Sequence, residues 1–366
     1  MEYVQERVTT LHDLTGHVPD APTDRAAVVV PMTEREYAGL APEGVLSTLE
    51  AVSPARVVVP LRASADHVED FRDWFDAFEL DVDLVWCNGP ELKALLADAG
   101  VSGAMGKGRD VWLALGLAAS EEFVVVHDAD AKTYSRAHVP RLLSPLAGEF
   151  EFTKGYYARV ENNQLYGRLA RLFVAPLIRA LADEHDAPVL DYLAAFRYPL
   201  AGEFAVTSKL ARHLRPQRQW GLELSTLGDA FGAVGFTGSA QVDLGRHEHD
   251  HRAVSGPTGL SEMSHGVGQA LLQVLADHDV TPAYESLPSR YEEVAYEFIR
   301  QYAADAAFNG LNYDREAERE QVAVYADAID PLREDTRLPS WDESPLSPDE
   351  VWEAAQADLA HARDED

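Results

Sequence analysis

The sequence predicts an α/β fold: a Rossmann-like half on a parallel sheet, a mixed α/β half, and a mostly helical C-terminal extension. Three observations carry this. Four short β-rich apolar runs recur early in the chain, at 26–31 (AAVVVP), 55–61 (ARVVVPL), 80–87 (LDVDLVWC) and 122–126 (EFVVV). Helical patterns separate them, notably 65–78 and 107–119. From residue 258 the pattern is mostly helical. Short buried strands separated by single helices mark βαβ units and a parallel sheet.

Taken in order, residues 1–25 are polar and are read as an N-terminal extension. Residues 26–130 are read as a nucleotide-binding half, ending on His127-Asp128-Ala129-Asp130. Residues 131–256 alternate strands and helices less regularly and form the second half of the same domain. Within it, 165–183 (LYGRLARLFVAPLIRALAD) reads as a helix kinked or broken at Pro176. Residues 240–245 (AQVDLG) read as a strand leading into a histidine-rich stretch. In 257–366, Val294, Phe298 and Tyr302 recur at helical spacing and are read as a core-facing stripe. The Pro- and Asp-rich segment 330–349 reads as loop, and the last residues as a helix fraying into an acidic tail.

Composition excludes several classes. There are 31 Lys+Arg against 62 Asp+Glu, a net charge of −31. That argues against a nucleic-acid partner. A single cysteine, Cys87, excludes a disulfide framework and a multi-thiolate zinc site, and its place at the end of a strand reads as core. No apolar run approaches the roughly 18 residues of a spanning helix. The best candidate, 172–178, contains Pro176 and lies between Arg171 and Arg179. The acidic start MEYVQERVTT lacks the basic-then-apolar order of a signal peptide. The expectation is a soluble, cytoplasmic protein. Only five of the 31 cations are lysines, which with the excess acid is a haloarchaeal-type composition. At molar salt the Debye length is about 3 Å, so surface carboxylates repel one another little. The alternative is a basic partner.

Four features stand out as candidate chemistry. Asp128 and Asp130 follow an apolar strand, and two carboxylates one residue apart suit a hard divalent cation holding a diphosphate. Gly106-Lys107-Gly108 precedes a helical pattern without P-loop spacing. Its glycines would admit a phosphate and its lysine would meet the charge, against an ordinary loop glycine pair. In His247-Glu248-His249-Asp250-His251, an extended chain puts the three histidines on one side. They read as ligands to a divalent ion, as a separate transition-metal site, or as a surface loop. Glu203 and Glu223 stand in apolar runs, where an acid needs a partner or a raised pKa. A salt bridge to one of the arginines is the bland reading.

The order of these pieces is a resemblance in itself. GKG before a helix, a strand ending in Asp-x-Asp, a Lys/Tyr/Arg segment (154–159), Gly167-Arg168, PLAGE (199–203), Gly221-Leu222-Glu223 and QVDLG with a nearby histidine follow one another. Over roughly 26–255 this resembles the glucosyl-3-phosphoglycerate synthase family, retaining glycosyltransferases of the GT-A fold. The resemblance implies Asp128 and Asp130 as the metal-and-nucleotide motif, with His249 as the metal-binding histidine. It implies Lys107 on the diphosphate, Pro31, Glu34 and Ser64 near the nucleoside, and Gly202 and Glu203 against the donor sugar. It implies Glu223 near the acceptor, with Arg168, Tyr157 and Arg159 facing it. Three departures lie on the acceptor side: Val160-Glu161-Asn162-Asn163-Gln164 for a glycine-rich loop, Ala170 for a threonine, and His247 for an arginine. Met32-Thr33-Glu34 stands for the usual Asn-Glu-Glu.

The implied activity is transfer of a hexose, glucose foremost, from a nucleotide-diphosphate sugar to a small anionic acceptor such as 3-phosphoglycerate. It would use Mg²⁺ or Mn²⁺ and retain configuration, with Glu203, Glu223 and Lys107 at the reaction centre. Alternatives are a GDP-mannose-dependent or inverting family-2-like transferase, or a non-catalytic nucleotide-sugar-binding protein. The C-terminal third would cover the site or make a homodimer contact.

Overall fold

The computed structural model describes residues 4–250 and 257–364, with side chains described for 4–250 and 262–363. The nucleotide-binding half follows β1 (Thr9–Leu11), with β2 (Ala26–Val29), β3 (Met32–Thr33), α1 (Leu40–Val52), β4 (Arg56–Arg62), α2 (Ala65–Phe75), β5 (Val82–Trp86), α3 (Pro90–Asp98), α4 (Lys107–Ala118) and β6 (Phe123–Val126). The second half holds α5 (His138–Leu146), β7 (Phe152–Glu161), β8 (Gln164–Leu165), α6 (Ala175–Ala182), α7 (Pro188–Ala195), β9 (Phe204–Thr207), α8 (Ser208–His213), α9 (Leu222–Val234) and β10 (Ser239–His247). Four helices follow among the described residues: α10 (Pro257–Asp277), α11 (Leu287–Phe308), α12 (Arg315–Ala326) and α13 (Pro348–Asp364).

The strand order is β1-β10-β7-β9-β6-β2-β4, with β3 and β5 also on β4 and β8 on β7. Only β9 among the strands of that path runs antiparallel to its neighbours, β6 and β7. Alternate residues of β2 feed two cores. Ala27 and Val29 meet the core containing Val111 and Leu115 of α4, while Ala26 and Val28 meet that of Val45 and Leu46 of α1. Burial on both faces is why β2 and β6 are apolar throughout. From β2 the chain goes one way to β4 and β5, then to the other side for β6. At such a switch point the carboxyl ends of the strands part and leave a crevice. Pro31 follows β2 there, and Asp128 and Asp130 follow β6.

The predicted α/β class is the observed one, and several elements differ in detail. Thr9–Leu11, inside the polar N-terminal stretch, is an edge strand parallel to β10. Three residues paired on one side bury too little to show an apolar run. The predicted helix 165–183 begins as β8, then a π-helical turn at Leu169–Val174, and only then α6. Pro176 falls in the first turn of α6, where its missing N–H costs little. The stripe on α11 is displaced by one residue. Tyr291, Ala295, Ile299 and Ala303 are buried, and Val294, Phe298 and Tyr302 flank them half-buried. Small alanines occupy the line of closest packing, so the larger side chains ride beside it.

The predicted C-terminal helix is docked, and the last two residues of the expected acidic tail lie outside the described residues. α13 packs on α3, α2, α4 and β5 of the nucleotide-binding half. The fully buried Asp358 carboxylate accepts the N–H groups of Glu91 and Leu92, at 2.7 and 3.0 Å, and so caps α3 from outside. The 330–349 loop is anchored by Trp341, stacked 4.3 Å from Trp112 and donating its indole N–H to the Trp112 carbonyl.

α9, whose first turn carries Glu223, is tied at Asp229 to the Arg215 N–H at 2.6 Å. Burial pushes the Asp229 carboxyl up to about 6, from an ordinary 3.8. The folded state therefore holds this proton more tightly than the unfolded chain. The associated stability is full at about pH 4 and is lost as pH rises through about 6. Asp229→Asn should remove that loss, so relative to wild type it should gain roughly 2 kcal/mol between those pH values. Paired urea titrations across pH 4–7 would show it; parallel curves would contradict it.

Candidate active site

A cavity of about 730 Å³ crosses the switch point. Its walls bring together most of the residues expected from the sequence: Pro31, Lys107, Asp128, Asp130, Tyr157, Arg159, Arg168, Glu223 and His249.

Its centre is a charge triad. Lys107 Nζ donates to Asp128 Oδ1 at 2.5 Å and to Glu223 Oε1 at 3.2 Å. Glu223 is thus paired with a lysine, where an arginine was the bland expectation. Burial alone would raise the Asp128 carboxyl, but the charge and hydrogen bond of Lys107 outweigh it and hold it at about 2. The same two carboxylates outweigh burial at Lys107 and push its ammonium up. Both partners are therefore charged at neutral pH.

The glycines of GKG do something other than the sequence suggested. A Cβ on Gly108 would sit 1.7 Å from the Gln217 carbonyl oxygen, and one on Gly106 2.7 Å from Gln219 Cα. They let the start of α4 close on the 217–219 segment, which precedes Glu223. That closure brings Lys107 to Glu223.

Asp130 and His249 form a second pair. His249 Nδ1 lies 3.2 Å from Asp130 Oδ1. The two loops are stitched by backbone bonds, Lys132 N–H to the Glu248 carbonyl at 2.8 Å and Asp250 N–H to the Asp130 carbonyl at 2.8 Å. His249 N–H donates to Glu161 Oε1 at 3.1 Å. A carboxylate beside an imidazole suits Mg²⁺ or Mn²⁺, with the remaining positions open to phosphate oxygens. Asp128, expected as a further ligand, is paired with Lys107. Among the described residues no three His, Cys, Asp or Glu side chains converge as a metal cluster.

His247 and His249 share a side, as an extended chain requires, with ring centroids 4.4 Å apart. His247 is buried and stacks on Tyr157 at 4.1 Å. Burial, then the nearby His249, drives its imidazole down to about 2, so it serves as a neutral wedge. His251 lies outside the described residues.

Four expected residues are outside the cavity wall. Glu34 accepts from Ser64 N and Oγ at 3.2 and 3.1 Å, and the pair is exposed at the rim. Gly202 packs under Asp128, where a Cβ would meet Oδ2 at 2.3 Å. Glu203 is buried close to Asp128, His249 and Lys107. Burial, and then the charge of Asp128, pushes its carboxyl up to about 7.

At the other end, Val160–Leu165 is a hairpin, with Asn162 and Asn163 at φ 47° and 59°. Two adjacent positive-φ residues make the primed turn that asparagine tolerates without glycine. Gly167 at φ 74° then turns the chain under Tyr198, whose hydroxyl a Cβ would meet at 2.6 Å, and presents Arg168. Ala170 lines the same wall. The sequence reading missed Arg62, Asp110, Tyr198, Trp220 and Tyr325, which also line the cavity. Arg62 Nε holds the buried Asp110 at 2.8 Å. Its placement at the carboxyl end of β4 was a usable signal.

No protein-family model matches the chain. A curated relative from Methanococcoides burtonii, a glucosyl-3-phosphoglycerate synthase, is 32% identical over 98% of both chains. One from Persephonella marina, with the same name, is 35% identical over 82% of this chain and 79% of its own. Among solved structures, glucosyl-3-phosphoglycerate synthase from Mycobacterium tuberculosis in complex with Mn²⁺, UDP-glucose and phosphoglyceric acid aligns with a TM-score of 0.52. It is 22% identical, covering 75% of this chain and 89% of that one, and so shows the shared fold.

Proposed function

The chain belongs to the glucosyl-3-phosphoglycerate synthase family of glycosyltransferases, and on that premise we propose that it transfers glucose from UDP-glucose to the hydroxyl of 3-phosphoglycerate, with a divalent metal and with retention of configuration. One observation carries the reading: a single cavity at the switch point holds the Lys107–Asp128–Glu223 triad, the Asp130–His249 pair, and Arg159 and Arg168. The Mycobacterium tuberculosis enzyme, in its complex with Mn²⁺, UDP-glucose and phosphoglyceric acid, supports the same ligand set here.

In this reading Asp130 and His249 hold the metal, which as a Lewis acid supplies charge to the diphosphate. Lys107 adds a fixed positive charge where negative charge grows as the glycosidic bond breaks. Asp128 and Glu223 fix the ammonium, so no reorganisation is needed at that moment. Arg159 and Arg168 draw an anionic acceptor to the far end, and Tyr157 walls it. Pro31 lies at the nucleoside, with Glu34 and Ser64 at the rim. Glu203, buried near Asp128, serves as a positioning group at the donor end. The departing diphosphate oxygen takes the acceptor proton. Residues 26–130 then bind the nucleotide, 131–256 carry metal and acceptor, and the C-terminal third closes the acceptor end. The acidic composition supports work at high salt in the cytoplasm. No helix among the described residues is long and apolar enough to cross a membrane.

Thermal unfolding in high potassium chloride tests the donor. UDP-glucose with Mn²⁺ at about 100 times Kd should stabilise the protein by about 2.7 kcal/mol, a rise in Tm of roughly 3 °C for a chain of this size. GDP-mannose, or UDP-glucose with chelator, should give little. A larger shift with GDP-mannose would favour the mannosyl reading.

A further inference from the structure

We propose that Glu318, on α12, is a positioning residue for the acceptor: it holds Arg168 by Nε and leaves the terminal guanidinium nitrogens to the cavity. The C-terminal helices thereby become part of the acceptor site. This rests on the reading of Arg168 as an acceptor contact.

The Glu318 side chain is 4% exposed, and four donors converge on it. Arg168 Nε donates to Oε1 at 2.9 Å. Arg171 donates from Nη1 to Oε2 at 3.2 Å and from Nη2 to Oε1 at 3.4 Å. The Tyr313 hydroxyl donates to Oε2 at 3.3 Å. Arg171 is wholly committed: its Nε donates to the Tyr166 carbonyl at 2.9 Å, and its guanidinium lies 4.7 Å from the Tyr302 ring centroid. It builds the floor.

Arg168 differs. Its side chain is 43% exposed and lines the cavity, and Glu318 takes only Nε. Its Nη atoms make no hydrogen bond to a described residue. A guanidinium clamped at one edge offers the other to a carboxylate or phosphate in fixed orientation. The same C-terminal stretch grips the neighbouring hairpin. Asn312 N–H donates to the Asn163 carbonyl at 2.9 Å, and Asn163 Nδ2 donates to the Gly310 carbonyl at 3.2 Å. Both acceptor-side elements are thus held by residues about 150 positions away.

Charge and orientation predict opposite signs for one substitution. Arg168, Arg171 and Glu318 sum to one positive charge. Glu318→Gln raises that to two, so attraction alone would tighten an anionic acceptor. Loss of orientation would weaken it.

The test is steady-state kinetics of the full chain with UDP-glucose, Mn²⁺ and 3-phosphoglycerate. Glu318→Gln should raise KM for phosphoglycerate roughly tenfold, as expected for losing one oriented charge-assisted contact. KM for UDP-glucose should move less than about twofold, since that end of the cavity is untouched. Arg168→Lys keeps the charge but lacks Nε, and should give the same selective rise. The double variant should be no worse than either single one. If Glu318→Gln does not fold, Arg168→Lys carries the test alone. An unchanged or lower phosphoglycerate KM, or donor and acceptor KM rising together, would overturn the inference. If the wild type makes no product from phosphoglycerate, the function reading fails; if it does and the variants match it, only Glu318's role fails.

Discussion

Asp130→Ala should abolish metal-dependent UDP-glucose binding and lower kcat/KM by about three orders of magnitude, the scale expected when a charged group acting on a leaving diphosphate is lost. The reason is the donor set. Asp130 and His249 stand 3.2 Å apart, and no third His, Cys, Asp or Glu joins them as a metal cluster among the described residues. Removing the carboxylate leaves one imidazole, a weak site for a hard cation. Asp128 is not a ready substitute, because Lys107 holds it at 2.5 Å. The backbone bonds joining the two loops survive the substitution, so the fold should too. His249→Ala should raise the Mn²⁺ requirement as well. His247→Ala should not: it removes a ring stacked on Tyr157 and should lower Tm while leaving the Mn²⁺ requirement near wild type. Calorimetric titration of UDP at several Mn²⁺ concentrations separates the three. Equal effects of the two histidine variants would place the metal elsewhere.

Lys107→Met should lower kcat/KM by about two to three orders of magnitude, because the fixed charge facing the leaving group is lost. It should also destabilise the fold, since Asp128 and Glu223 are left facing each other without their cation. The pH dependence gives the sign. In the wild type the Asp128 carboxyl sits at about 2 against an ordinary 3.8. Its contribution to stability is present above about pH 4 and lost as pH falls through about 2. The variant lacks that contribution, so the two proteins should differ most at neutral pH and converge in acid. A constant difference in Tm across pH 3–7 would contradict the triad. Activity near wild type would remove Lys107 from the reaction.

The nucleotide-binding half was legible because parallel strands buried on both faces must be apolar: β2 and β6 are so throughout and β4 between its end arginines, while β5 keeps Asp83, paired with Arg56. The Asp-x-Asp motif was legible because it ends such a strand at the switch point. The acceptor end was harder. Glu318 looks like any other acid on an exposed helix, and its partners Arg168 and Arg171 lie about 150 residues earlier. Asp358 is hidden for the same reason, since only docking of α13 on α3 shows that it is a cap. The Asn162-Asn163 turn did carry a signal, as paired asparagines accept the left-handed conformation that glycine usually supplies. Glu203 was legible as a buried acid with a raised pKa. Its place near Asp128 and His249 was not, because the apolar run around it only says that it is inside.

The most direct measurement follows the anomeric carbon of ¹³C-labelled UDP-glucose by NMR, with Mn²⁺ and 3-phosphoglycerate in high potassium chloride. The account predicts a new α-anomeric glucoside signal that needs both the metal and the acceptor and disappears with Asp130→Ala. A β-linked product, or donor binding with no transfer to phosphoglycerate, would contradict it.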